Sequence, residues 1–364
     1  MYHAWIAGKP AALEAAIDEA AKRLDASRQP LIAGLGTDVA GARAAIALAR
    51  RTGAVIDHMH AGAVLRDLDV MRSSGVVLTT SGETRIRADT LLLVGPGLTE
   101  TWPELLDRVG GKRGRGRRFI WLCPGADFAT LASLGGNAEA IGKDPRDLPA
   151  LLSSLRARVA SRPTAKTVLA SKKLDEIASA LKSAQFGVAI WSAATLDALS
   201  IEMICGLVND LNAATRFCGL PLTPTDNAVG VLQTCGWTTG FPMRTGFGRG
   251  FAAHDPWLFD GERLIESGET DCVLWVSAYR AAAPEWRKAP PIIALTGQQA
   301  AFRVPPSVHI EVGRPGADHD AVEYLAAAGT LAAVKAKQPS DTLSVADAIT
   351  RIASALPRSG ERPC

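Results

Sequence analysis

Aromatic residues are scarce in this chain, 5% of 364, and the formal charge is only +3. So small a charge gives no electrostatic ground for binding nucleic acid or a membrane surface. Cysteine is sparse too. The six, at 123, 205, 218, 235, 272 and 364, show no C-x-x-C spacing, which argues against a disulfide framework or a paired-thiol metal site. No signal-peptide pattern is present at the N-terminus. The longest apolar runs, such as Thr90–Val94, stop far short of the roughly 20 residues of a membrane helix. The expected setting is cytoplasmic, with reduced thiols, no nucleic acid and no membrane.

What remains is the composition of an ordinary α/β protein, long enough for about two domains. Ala11–Leu24 places Leu13, Ile17, Ala20, Ala21 and Leu24 on one helical face. The strand Leu31–Gly34 follows, then a helix Val39–Arg51 capped by Asp38 and ended by Gly53, then the strand Ala54–Asp57. A second copy of this unit begins at Leu174, with strands at Gly187–Trp191 and Ala214–Phe217 around the helix Leu196–Leu211. Further buried strands are expected at Thr90–Val94, Arg118–Leu122, Cys272–Val276, Pro291–Leu295 and Val308–Val312. The alternation predicts two doubly wound, Rossmann-like α/β domains, residues 1–165 and 166–315, joined at the proline-bearing polar stretch Ala160–Lys173. A helical tail, 316–364, is expected to contain helices at Ala321–Lys335 and Leu343–Leu356.

The most distinctive stretch is Asn227–Phe251, NAVGVLQTCGWTTGFPMRTGFGRGF, which joins glycines, aromatics and two arginines without a carboxylate. Its glycines permit close approach of a ligand or a chain, and Arg244 and Arg249 suit bidentate pairing with phosphate or carboxylate; a structured loop is the plainer alternative. Gly34 and Gly36, with Asp57 about 20 residues on, form part of a dinucleotide fingerprint, but position 39 is Val where Gly or Ala is required. A tight strand-to-helix turn explains them equally. His58 and His60 have the two-residue spacing of paired metal ligands but no third ligand beside them. The basic loop Gly111–Arg118 has no interleaved aromatic and reads as a solvated loop or a docking patch. Cys123 and Cys235 have no activating neighbour in sequence and read as structural thiols.

The run Asn227–Phe251, continuing through His254–Trp257 (HDPW) to GETDCVLWVSA, resembles the B subunits of formylmethanofuran dehydrogenases, which are molybdopterin oxidoreductase-like proteins. The N-terminal half, from AWIAGKP to AVID and then SGETRIRADTLLLVGPG, is similar to them in order. The resemblance implies the fold of the central domains of molybdopterin oxidoreductases. Redox-active members carry an N-terminal cysteine cluster for an iron–sulfur centre, and a Cys or selenocysteine on the metal after the strand matching Ala54–Asp57. Here no cysteine precedes Cys123, and 58–65 reads HMHAGAVL. That pattern is similar to the B subunits of formyltransferase/hydrolase complexes, in which the A subunit carries out zinc-dependent hydrolysis and the D subunit formyl transfer, with the C subunit beside them. The implied role is a non-catalytic scaffold in methanofuran- and tetrahydromethanopterin-linked one-carbon metabolism, with the A, C and D subunits as partners, no catalytic residue, no metal and no cofactor. Gly34, Gly36, Trp237, Thr238 and Arg249 are then remnants of a pterin pocket. The alternative is an oxidoreductase that still binds molybdopterin guanine dinucleotide with molybdenum or tungsten. A second, local resemblance, Gln29–Ile56 to the central domain of thiamine-diphosphate enzymes, implies a nucleotide-binding module.

Overall fold

The computed structural model describes residues 3–110, 116–134, 137–142, 144–164, 169–286, 290–297 and 300–357. It is a mixed α/β protein of two units, and the units are not consecutive in sequence. Unit 1 comprises Met1–Ala61, Thr225–Tyr324 and Leu331–Cys364; unit 2 comprises Gly62–Pro224 with Leu325–Thr330.

Unit 1 is built on five parallel strands in the spatial order Val55–Ile56, Pro30–Gly36, Cys272–Ser277, Ile292–Thr296, Val308–Glu311. Numbered along the chain that order is 2-1-3-4-5, so the winding reverses between Pro30–Gly36 and Cys272–Ser277. Antiparallel strands extend both edges: Thr245–Gly246 beside Val55–Ile56, and Ala4–Ile6 beside Val308–Glu311. Pro30–Gly36 is buried throughout, as a strand covered on both faces must be. One face packs Leu31, Ala33, Val55, Val273 and Trp275 against Leu264 and Ile265 of the short helix Gly261–Glu266. The helix Val39–Thr52 starts where expected, its first turn capped by Asp38 accepting from the Gly41 N–H at 3.0 Å, and it ends at Gly53 with φ +73°.

Unit 2 is a parallel sheet in the order Ala138–Ile141, Arg118–Leu122, Thr90–Val94, Gly187–Trp191, Phe217–Pro221. In chain order this is 3-2-1-4-5, with the reversal between Thr90–Val94 and Gly187–Trp191. Its two cores lie on opposite faces: alternate residues Leu91, Leu93, Phe119, Trp121, Val188 and Ile190 turn one way, and Leu92, Ile120, Leu122, Ala189 and Trp191 the other.

Three expectations are corrected. The domain limits 1–165 and 166–315 give way to an insertion, because the helices Leu148–Val159 and Ser171–Lys182, on either side of the expected junction, belong to one unit. A polar proline-bearing stretch within a domain and a linker between domains share a composition; of the real crossings, Ala61–Gly62 carries no such break, while Pro224–Thr225 lies in the proline-bearing, polar Pro221–Asn227. The stretch Ala321–Lys335 is a hairpin of strands Ala321–Leu325 and Thr330–Val334, not a helix. Gly329 takes φ +67° at its turn, and the Tyr324 N–H is drawn to Asn227 Oδ1 at 2.9 Å. The last strand of the second repeat is Phe217–Pro221 rather than Ala214–Phe217. The C-terminal helix Val345–Ala355, capped by Ser344, lies where the sequence places it.

Candidate functional site

In open α/β sheets ligands bind beyond the carboxyl ends of the strands, where the winding reverses. In unit 1 that place follows Gly36 and Ser277, and the chain's own Asp226 occupies it. Asp226 and Asn227 both adopt left-handed backbone, φ +58° and +56°, just ahead of the helix Ala228–Thr239. The Asp226 side chain is fully buried. Its Oδ1 accepts from Arg280 Nε at 3.2 Å, and its Oδ2 accepts from Arg280 Nη2, from Thr225 Oγ1 at 2.7 Å and from His60 Nε2 at 3.3 Å. Burial alone would raise its pKa; the bonds from His60, Arg280 and Thr225 overcome this and hold the carboxylate well below the ordinary range. Gly36 lies against it: a β-carbon there would sit 3.3 Å from Asp226 Cβ and from Met59 Cε. Asn227 fixes the loop by donating from Nδ2 to Thr37 O at 2.9 Å.

His58 is buried beside this cluster. Its Nδ1 accepts the His60 N–H at 3.0 Å, so Nε2 carries the proton and donates to Asp226 O at 3.1 Å. Burial, with His60 beside it, pulls its pKa down to about 4, so the ring is neutral. His58 is hydrogen-bonded through both ring nitrogens and His60 through Nε2, and among the described residues no three His, Cys, Asp or Glu side chains converge as ligands.

The remaining predicted residues do not join this cluster. Gly34, with φ +77°, faces the neighbouring strand, and a β-carbon on it would stand 2.5 Å from Val276 O and 3.1 Å from the Trp275 ring. Packing dictates it. Asp57 is no ribose ligand: its oxygens accept the N–H groups of His58 at 2.9 Å and Gly261 at 2.8 Å, and burial pushes its pKa up to about 7 against the pull of Arg244. Arg244 is likewise engaged inside the fold, 3.6 Å from Asp57, 2.6 Å from Asp260 and donating to Pro256 O at 2.7 Å. Trp237 and Thr238 lie at the far end of the helix Ala228–Thr239, roughly 15 Å from Asp226 at about 1.5 Å per residue, with Thr238 O accepting from Arg50 at 2.6 Å. Arg249 is exposed near the amino end of the sheet, where Gly248 packs on Gly53. The segment Asn227–Phe251 thus runs along unit 1 instead of folding round one ligand. Its exposed Trp237, Phe241 and Phe251, with Trp257 and Leu258 just beyond, give unit 1 an apolar surface.

At the reversal point of unit 2 the loops after Val94 and Trp191 pack against each other. There Thr195 Oγ1 donates to Pro96 O at 2.7 Å, and Gly97 and Gly95 accommodate Thr195 and Leu196, whose side-chain carbons stand 2.5 and 2.6 Å from where β-carbons would be. The sequence signals for these arrangements, TDN before a helix and GPG after a strand, are too short to stand out from ordinary turns. Cys123 and Cys235 are buried, and burial pushes their thiols up to about 11 and about 12, which leaves them inert. Residues 111–115 of the basic loop lie outside the described residues.

No family model matches the chain. It is 34% identical over 371 aligned positions to the B subunit of the formyltransferase/hydrolase complex Fhc of Methylorubrum extorquens, covering 98% of this chain and 99% of that one. The chain belongs to the family of Fhc B subunits. The fold agrees, with a TM-score of 0.82 and 33% identity over 96% of this chain and 98% of its counterpart in the crystal structure of FhcABCD from Methylorubrum extorquens in complex with methylofuran. It is also 30% identical, over 73% of its length, to the B subunit of the tungsten-containing formylmethanofuran dehydrogenase 2 of Methanocaldococcus jannaschii, of which 64% is matched. The family resemblance read from the sequence therefore holds. No cysteine follows the strand Val55–Ile56 before Cys123, both nearby imidazoles are hydrogen-bonded within the fold, and a carboxylate sits in the crevice.

Proposed function

We propose that this chain is a non-catalytic structural subunit of a formyltransferase/hydrolase complex, assembling with the A, C and D subunits around a methylofuran-type carrier. The single observation that carries this reading is end-to-end correspondence with one component of such a complex, in a chain whose unit 1 reversal crevice holds its own Asp226 carboxylate. The strand orders 2-1-3-4-5 and 3-2-1-4-5 support two doubly wound, Rossmann-like domains like the central domains of molybdopterin oxidoreductases. Gly36 is the one predicted pocket residue that touches the Asp226 plug, and it supports descent from a cofactor-binding ancestor. The free, buried cysteines 123, 205, 218, 235 and 272 suit a reducing cytoplasm, and no described helix is long and apolar enough to cross a membrane. The exposed aromatics of unit 1 supply a surface for a sibling subunit to cover.

The test is purification of the tagged chain from its native cells, with subunit identification and metal analysis of the same sample. Recovery of the three other subunits with tungsten and molybdenum below about a tenth of an atom per chain is expected. A stoichiometric amount of either metal, with extractable pterin, would overturn the non-redox reading; recovery of the chain alone would overturn the assembly.

A further inference from the structure

The Asp226 cluster has the parts of an anion-binding site together with its own anion. Arg280 offers two guanidinium nitrogens, His60 an imidazole nitrogen and Thr225 a hydroxyl, all within 3.3 Å of one carboxylate. Arg280 is half-exposed and His60 about one-third exposed, so the donors reach solvent while the carboxylate does not. The position is where a doubly wound sheet receives a ligand. The carboxylate is brought there by two successive non-glycine residues in left-handed backbone, Asp226 and Asn227. An ordinary connection into the helix Ala228–Thr239 needs no such arrangement.

We infer that Asp226 is a tethered substitute for an anionic ligand: the crevice is a working oxyanion seat for a carboxylate- or phosphate-sized group, kept closed to free anions by the chain's own carboxylate. The Arg280 fork matches a carboxylate or phosphate edge in the same bidentate fashion. The inference is independent of the assembly reading, since it concerns only whether this seat accepts an anion from solution.

Calorimetric titration of the full-length chain with inorganic phosphate and with acetate, at ionic strength fixed with sodium chloride, tests it. The wild-type chain is expected to show no saturable binding at millimolar concentrations. Asp226→Ala is expected to bind one anion per chain at least tenfold more tightly than wild type, and Asp226→Ala with Arg280→Gln to lose that gain. Hydrogen exchange adds a readout that folding alone does not provide: the peptide spanning residues 225–239 should lose protection in Asp226→Ala and regain it with phosphate. Equal binding by wild type, a folded Asp226→Ala chain without binding, or binding that survives Arg280→Gln would each overturn the inference. Should Asp226→Ala fold poorly, phosphate must restore it and Asp226→Asn must show the same anion dependence; failure of both overturns it as well.

Discussion

The indole N–H of Trp191 donates to the buried carboxylate of Asp67 at 2.8 Å. Burial raises this carboxyl to about 6 despite the indole and Arg66, so the folded chain holds the proton more tightly than the unfolded one. Between about pH 4 and 6 the folded state binds more protons, and stability falls as pH rises through that window, by about 3 kcal/mol in full. Asp67→Asn keeps an acceptor for Trp191, so it should flatten that slope in urea unfolding of unit 2 followed by hydrogen exchange. Trp191→Phe, which leaves the carboxylate without its donor, should cost about 1–3 kcal/mol.

In unit 1 His58 works in the opposite direction. Its pKa is lowered from its ordinary value of 6.5 to about 4, so the unfolded chain takes up a proton that the folded chain refuses. Stability is lost as pH falls from about 6.5 towards 4. His58→Gln should reduce that acid sensitivity, read as the change in hydrogen-exchange protection of the strand Pro30–Gly36 between pH 5 and 7.

The two glycines of the fingerprint should part company on substitution. Gly34→Ala puts a methyl 2.5 Å from Val276 O on a φ of +77° and should cost more than about 2 kcal/mol, with little folded protein recovered. Gly36→Ala meets its neighbours at 3.3 Å without a positive φ and should leave a soluble, folded chain. Circular dichroism and yield of soluble protein distinguish them. Comparable loss from both would contradict the packing described for Gly34.

The arginines should divide in the same way. Arg244→Ala strips Asp57 and Asp260 of their partner and should destabilise unit 1 by about 3 kcal/mol, as removal of one member of a buried pair does. Arg249→Ala, at an exposed position, should shift stability by less than about 0.5 kcal/mol. Thermal unfolding of the two variants side by side checks the contrast.

Phe251 and Trp257, at 62% and 69% exposure, are expected to matter for assembly rather than folding. The pair Phe251→Ser and Trp257→Ser should leave circular dichroism unchanged and lower recovery of sibling subunits in pull-downs by tenfold or more. Unchanged recovery would show that this face is not covered.

The sequence reveals the strands and principal helices well, because buried parallel strands such as Thr90–Val94 are unbroken apolar runs and helix ends at Asp38, Gly53 and Ser344 carry local signals. It reveals order better than partition. The crossings into and out of unit 2 are set by which strands pair, Pro30–Gly36 with Cys272–Ser277 for example, and no local composition encodes a pairing across so many residues. The site fares similarly. Asp226, Arg280 and the His58–His60 pair lie far apart in sequence and converge only when the sheet closes, while the conspicuous arginine of the glycine-rich segment, Arg244, is engaged by carboxylates outside that segment. Ala321–Lys335 reads as a helix from its alanines, and long-range bonds from the Tyr324 N–H to Asn227 and from the Tyr279 hydroxyl to Glu323 help hold it as a hairpin.

The interruption of unit 1 by Gly62–Pro224 imposes an order on synthesis. The strand Pro30–Gly36 leaves the ribosome long before its partner Cys272–Ser277 exists, and Ala4–Ile6 must wait for Val308–Glu311. All of unit 2 except Leu325–Thr330 is meanwhile contiguous and complete. The nascent chain therefore carries most of unit 2 while unit 1 is still open. His60 and Thr225, whose side chains meet at 3.3 Å, mark the ends that must come together before unit 1 can close.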